Sequence, residues 1–150
     1  VKNLFLLRHA HAANNISDFE RTLSSEGIDK CGKVAEILKN YTNQIDLILC
    51  SDSVRTSQTI QAVLPNNPVN YSRTYYNTTA SLLLESLQDI DNKYRNVLLV
   101  SHNSSISDLG SLLLNEPMSF SPGGLALLEC DIKDWSELSY PKAKLVSFWQ

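Results

Sequence analysis

The run Leu4-Phe5-Leu6-Leu7, broken at once by Arg8-His9, limits what this chain can become more than any other stretch. Four apolar side chains in a row, without alternation, predict a strand buried on both faces. A guanidinium and an imidazole do not enter such an interior without partners. The strand therefore ends at the pair and holds it at its C-terminal edge. In open α/β sheets that edge is where ligands bind. An arginine fork favours phosphate or carboxylate, and histidine acts as nucleophile or general base near neutral pH. The first expectation is an anion site with His9 at its centre.

The rest of the chain repeats the pattern. After a polar loop from Asn14 to Arg21, Ser24 or Ser25 caps a helix predicted over about 25–41. Its stripe is Ile28, Cys31, Val34, Ala35, Leu38 and Tyr41. Residues 45–50 form a second strand that breaks at Ser51-Asp52-Ser53, an N-cap cluster, into a helix through about Val63. Val69 to Ser72 forms a short strand. Thr78 or Thr79 caps a third helix that ends near Lys93. Asn96 to Ser101 is the clearest buried strand, and His102-Asn103-Ser104-Ser105 leads into a fourth helix. Pro117 to Gly124 is irregular, with Gly123-Gly124 as a turn. Leu125 to Cys130 is a strand, and Leu145 to Trp149 alternates like an edge strand. The order βαβαβαβαββ predicts an α/β three-layer sandwich, its mostly parallel central sheet flanked by helices on both faces. The last strands add an antiparallel edge.

At 150 residues the chain is expected to form a single domain over 1–150. A net charge of -3 argues against a general nucleic-acid partner, which calls for a basic face. Cys31, Cys50 and Cys130 are odd in number, far apart and without metal-type spacing. They suit free thiols in a reducing compartment, so a cytoplasmic location is expected. No run approaches the ~20 apolar residues of a membrane span, and the first residues do not resemble a signal peptide. No membrane partner is expected.

Three predicted strands end alike. The first ends in Arg8-His9, the second leads to Arg55 in the first turn of a helix, and the fourth ends in Ser101-His102-Asn103. If the strands are parallel, two arginines and two histidines converge on one edge, near helix N-termini that also favour anions. Each residue alone has an ordinary explanation as a surface or capping group. Their coincidence at strand ends is what points to a phosphoryl-transfer pocket, since two of only five arginines sit there. His9 and His11, one residue apart, also raise a metal site of the kind found in large barrels. Such a barrel needs about 200 residues, and only three histidines exist, so no metal and no cofactor is expected. No glycine-rich phosphate loop is present.

Arg8-His9-Ala10, the segment Ser51 to Thr59 containing Arg55, and Val100-Ser101-His102-Asn103 together resemble the histidine phosphatase superfamily, which includes phosphoglycerate mutase. Arg8-His9-Ala10-His11-Ala12, followed by Asp18-x-x-Arg21-x-Leu23-Ser24-x-x-Gly27, is similar to the small SixA-type phosphohistidine phosphatases. The resemblance implies a phosphoglycerate mutase-like fold with no cap domain. It implies His9 as the nucleophile, with Arg8, Arg55 and His102 holding the phosphoryl oxygens, and Asn15 as a further phosphate contact. The chain departs from the family at Ala10, where glycine is usual, and at Ser51-Asp52, where Ser-Pro is usual. The acidic residue that many phosphomonoesterase and mutase members carry after strand three has no evident counterpart. Tyr75-Tyr76-Asn77 occupies that region, and Glu85 falls inside a predicted helix.

The implied activity is that of a metal-independent phosphatase working through a phosphohistidine intermediate. The arginines, and His102 if protonated, would offset phosphoryl charge, and the arginines would keep His9 neutral. An alkoxide leaving group needs a general acid, whereas the imidazole of phosphohistidine depends on one less. Without an obvious glutamate, the expected substrate is a phosphohistidine-bearing phosphotransfer domain of a signalling protein. Asp18 is the one candidate acid or base beside the site, and it equally fits a turn or a partner for Arg21. The alternatives are a small-molecule phosphomonoesterase of the same fold and a non-catalytic phosphate-binding module.

Overall fold

Along β1 (Lys2–Arg8), Leu4 and Leu6 pack into one hydrophobic core while Phe5 and Leu7 pack into a second, on the opposite face of the sheet. β4 (Asn96–Ser101) divides in the same way, with Val97 and Leu99 on one side and Leu98 and Val100 on the other. This is why neither sequence alternates: both faces are covered, so every side chain is apolar. The computed structural model describes residues 1–150. The first face is covered by α3 (Ala80–Gln88) and α4 (Ser105–Leu114), the second by α1 (Ser25–Leu38) and α2 (Val54–Val63).

Six strands form one sheet in the order β3-β2-β4-β1-β5-β6, with β2 at Leu47–Ser51, β3 at Asn70–Ser72, β5 at Leu125–Cys130 and β6 at Ala143–Trp149. β3, β2, β4 and β1 are mutually parallel. β5 and β6 are antiparallel additions, with a register shift at Leu127/Leu128. The sheet is thus the mixed sheet expected, flanked by helices on both faces and without a cap domain. Cys31, Cys50 and Cys130 are buried and unpaired, and burial pushes the Cys50 and Cys130 thiols up to about 12. No helix is long and apolar enough to cross a membrane.

Several boundaries differ from expectation. α1 stops at Leu38, and turns carry the chain to Gln44. α3 stops at Gln88, five residues before Lys93. The apolar residues beyond each stop pack as loop side chains, so periodicity outlasts the helix. Ser24, Ser53 and Thr79 are the N-caps, each accepting a backbone N–H three residues on. β6 begins at Ala143, and its burial does not alternate, because one long edge of it lies open.

The loop after β1 is pressed onto the first turn of α1. Ser24 N donates to the His11 carbonyl (3.0 Å), and a Cβ at Gly27 would stand 2.1 Å from that same oxygen. Only glycine permits this approach. Gly27→Ala is expected to destabilise the fold by about 1–3 kcal/mol through overpacking, read as a lower urea midpoint. An unchanged midpoint would show that the loop moves freely away from α1.

Candidate active site

Parallel pairing brings the ends of β1, β2 and β4 to one edge, with Arg8 in register with Ser101. His9 is held there by its backbone on two sides: its N–H donates to Ser101 O (3.1 Å) and its carbonyl accepts from Gly123 N (2.9 Å). Gly123 sits in the predicted turn with φ +79, a conformation that favours glycine. The next residue, Ala10, donates its N–H to Thr59 Oγ1 of α2 (3.1 Å), which donates in turn to the Arg55 carbonyl (2.7 Å). The loop bearing His9 and the helix bearing Arg55 are thereby tied together.

The ring of His9 has a defined tautomer. Its Nδ1 lies 2.7 Å from the Ala10 carbonyl, and Arg55 Nε donates toward its Nε2 at 3.4 Å. A carbonyl only accepts and a guanidinium only donates. Nδ1 therefore carries the proton, and Nε2 presents its lone pair toward the arginine. Burial, first, and then the charges of Arg55, Arg8 and Arg21 lower the His9 pKa to about 4, against an opposing pull from the Ala10 carbonyl. His9 is neutral as expected, but desolvation contributes more than any one arginine does.

His102 is shifted further. It is 7% exposed, and burial, with His9 and Arg55, lowers its pKa to about 3. Its ring is neutral near pH 7, so the condition under which it would offset phosphoryl charge, protonation, is not met by these surroundings alone. Its Nε2 lies 2.8 Å from Ser51 Oγ, while its Nδ1 is buried without a partner. The two histidine rings stand 5.2 Å apart. Arg8 donates from Nη1 to the Phe120 carbonyl (2.8 Å), and its Nε is likewise buried and unpartnered. Two unpaired buried polar atoms thus belong to predicted phosphate ligands, the pattern of a site built to receive polar atoms from outside.

A cavity of about 400 Å³ opens over Arg55 and His102, walled by Asp18, Tyr76, Thr78 and Asn103. Asp18 accepts from Arg55 Nη2 (3.2 Å), Tyr76 Oη (2.5 Å) and Arg21 Nη1 (3.4 Å). The Tyr76 phenol and then the guanidinium charge of Arg55 outweigh burial and hold the Asp18 carboxyl down at about 2. It is a carboxylate at neutral pH and has no proton to donate. The Tyr76 ring packs edge-on against His102 (5.3 Å) and against Phe19 (5.1 Å), over which Arg73 stacks at 4.2 Å.

Residues 4–74 match the model of the histidine phosphatase superfamily, branch 1. The chain is similar to the candidate phosphohistidine phosphatase SixA of Nakamurella multipartitia, with 25% identity, a TM-score of 0.87 and coverage of 99% of this chain and 95% of that one. The candidate SixA of Agrobacterium tumefaciens, also 25% identical, superposes with a TM-score of 0.84 over 99% and 97%. Over residues 4–74 the chain is similar to the histidine phosphatase superfamily, and over nearly its whole length it shares the fold of these SixA structures. An uncharacterised chloroplastic protein of Arabidopsis thaliana is 28% identical over 152 residues, covering 91% of this chain and 70% of its own. The family-model match and this structural likeness support phosphatase activity.

The structure brings together Arg8, His9, Arg55, His102 and Asp18, but not Asn15. Asn15 is exposed, and its amide donates to Thr22 Oγ1 (3.2 Å) in the loop. Spacing along the chain placed it after the Arg-His pair, but the loop carries it away from the cavity wall. His11 also turns away: its Nδ1 lies 2.7 Å from Ser24 Oγ and 3.7 Å from Glu26. The two histidines of His9-x-His11 therefore do not share one site. Tyr76 and Ser51 were missed as site residues. A tyrosine in a loop bears no sequence mark of function, and Ser51 reads only as a cap.

Two expectations follow. Removing the Asp18 charge frees Arg55 for an incoming anion, so Asp18→Asn is expected to bind inorganic phosphate about 2–5-fold tighter, measured by calorimetry. Weaker binding would show that Asp18 organises the site more than it competes for it. The second concerns stability. Unfolded His9 titrates near 6.5, while folded His9 stays neutral to about 4. Between those values the unfolded chain binds more protons, so stability is full above about pH 6.5 and falls as the pH drops toward 4. His9→Asn is expected to lose less stability than the native protein between pH 7 and 4.5, the difference being on the order of 2 kcal/mol. Identical pH slopes in urea titrations would disprove it.

Proposed function

We propose that this chain is a phosphatase whose nucleophile is His9 Nε2, and that its substrate is phosphohistidine on a phosphotransfer protein. The observation that carries this reading is the pairing of an unprotonated Nε2 with the Arg55 guanidinium at 3.4 Å. A phosphoryl group that displaces this contact meets the nucleophile at Nε2 and has its charge met by Arg55 and Arg8. Those two fixed cations supply positive charge at the phosphoryl oxygens, the role that metal ions fill in other phosphoryl-transfer sites. A phosphoryl dianion also offers the buried Nδ1 of His102 an acceptor and draws a proton onto the ring.

In the first step Nε2 attacks phosphorus in line, the new N–P bond forming as the bond to the leaving group breaks. Leaving histidine departs as neutral imidazole once its ring is protonated from solvent. Water then attacks the phosphohistidine, releasing inorganic phosphate and neutral His9. The histidine substrate is favoured because the one carboxyl at the site, Asp18, is held ionised. It cannot serve as the acid an alkoxide needs, and at about 2 it is also a weak base. Its contacts suit it to orienting Arg55.

A second reading, a small-molecule phosphomonoesterase, draws on Tyr76. Its phenol lines the cavity and keeps its proton, because the Asp18 carboxylate that accepts its hydrogen bond raises its pKa. Phosphate release from a panel of phosphohistidine proteins and small phosphomonoesters separates the two. The first reading expects turnover of the proteins well above that of the esters, and the reverse ranking would replace it with the second. His9→Ala is expected to lower turnover at least about 10³-fold and to abolish acid-labile phosphoenzyme. Phosphate binding by a native protein that never turns over would instead identify a binding module.

A further inference from the structure

The Arg8 side chain makes one hydrogen bond, from Nη1 to the Phe120 carbonyl (2.8 Å), and its Nε is buried without any. The direction of its free N–H groups therefore depends on where that carbonyl stands. Phe120 belongs to an extended segment without regular structure, yet it is 2% exposed. Its ring is held against Phe148 (4.8 Å).

The segment is fastened along α4 by a repeat in the helix sequence. Ser107 and Ser111 are one turn apart and face it. Ser111 Oγ accepts from Met118 N (2.8 Å), and Ser107 Oγ accepts from Phe120 N (3.0 Å). Between them Gly110 leaves room for Met118, whose sulfur would stand 2.8 Å from a Cβ there. Ser107 has one further role. Its hydroxyl proton goes to Asn103 Oδ1, in the residue that follows His102 and lines the cavity. From the outer side, Gln150 clasps the residues flanking Phe120: Nε2 donates to Ser119 O (2.8 Å), and Oε1 accepts from Ser121 N (2.9 Å).

We propose that Ser107, with Gln150 on the outer side, is a positioning residue that sets the Arg8 guanidinium relative to His102. The path runs Arg8–Phe120–Ser107–Asn103 and joins the ends of β1 and β4 without passing through the anion they would share. Neither residue touches the phosphoryl group. Ser107 spends both its donor and its acceptor on this path, so removing the hydroxyl leaves the buried Phe120 N–H unpaired and loosens the carbonyl that orients Arg8. The proposal rests on the phosphate-site reading above, but its test uses binding and not turnover, so it stands or falls apart from catalysis.

The test is a double-mutant cycle on inorganic phosphate affinity, followed by NMR titration of the His102 ring protons. Ser107→Ala is expected to weaken phosphate binding about tenfold in the native background and less than about twofold in Arg8→Ala, because its effect acts through that arginine. Ser107→Thr, which keeps the hydroxyl, is expected to restore most of the affinity. Equal losses in both backgrounds, or no loss in the native one, overturn the proposal. Should Ser107→Ala not fold, the exposed Gln150→Ala takes its place in the same cycle. There about a threefold loss is expected with Arg8 present and none without it. Additive losses in that cycle overturn it equally.

Discussion

The site depends on one structural constraint, the parallel placement of β4 between β1 and β2. With Arg8 opposite Ser101, the backbone of His9 reaches one residue past the ladder to bond Ser101 O at 3.1 Å. His102 then follows directly from the strand that grips His9. Were β4 antiparallel, its C-terminal residues would lie at the other end of the sheet, roughly 20 Å away for six residues. Arg55 would face no second histidine. The antiparallel strands β5 and β6 extend the other side of β1. The chain between α4 and β5 supplies the Phe120 carbonyl for Arg8 and the Gly123 N–H for His9.

Burial then decides the electrostatics. A cluster of two guanidinia and two imidazoles would carry four positive charges if all were protonated. Low solvation and mutual repulsion keep both rings neutral, and Asp18 offsets part of the remaining charge through Arg55. The result is an imidazole with its Nε2 lone pair available, beside cations whose charge is permanent. Leaving buried donors and acceptors unpaired is costly in a folded protein. Here Arg8 Nε and His102 Nδ1 are left so at the place where an oxyanion would supply the missing partners.

Much of this was legible along the chain, for stated reasons. Doubly buried strands are continuous apolar runs, and Asn96–Ser101 and Leu125–Cys130 were bounded to the residue because polar side chains interrupt them on both sides. Helix starts were readable from Ser24, Ser53 and Thr79, whose side chains bind locally. Helix ends were not, because the stripes of α1 and α3 continue into loops that pack on the same core. The convergence of Arg8, His9, Arg55 and His102 was legible because each sits at the end of a strand or in the first turn of a helix. The place of Asn15, exposed and bonded to Thr22, was not, because a loop residue has no such frame: sequence distance from His9 does not determine spatial distance when the chain turns freely.

By itself the sequence determined the alternation of strands and helices, the two-sided burial of the sheet, and the identity of the cationic and imidazole groups at three strand ends. These follow from local patterns of polarity, which act over a few residues. Only the tertiary structure decided the state and surroundings of those groups. It held His102 neutral and bound Asp18 to Arg55 and Tyr76. It also set the tautomer of His9 and enlisted Ser107 and Gln150 behind Arg8. Solvation, hydrogen-bond partners and charge repulsion are properties of neighbours in space. Those neighbours include residues 114 positions apart, as between His9 and Gly123, a separation across which no local pattern carries information. The opening Arg8-His9 pair therefore announced a site, while its protonation and its aim were set by strands and loops folded in from the rest of the chain.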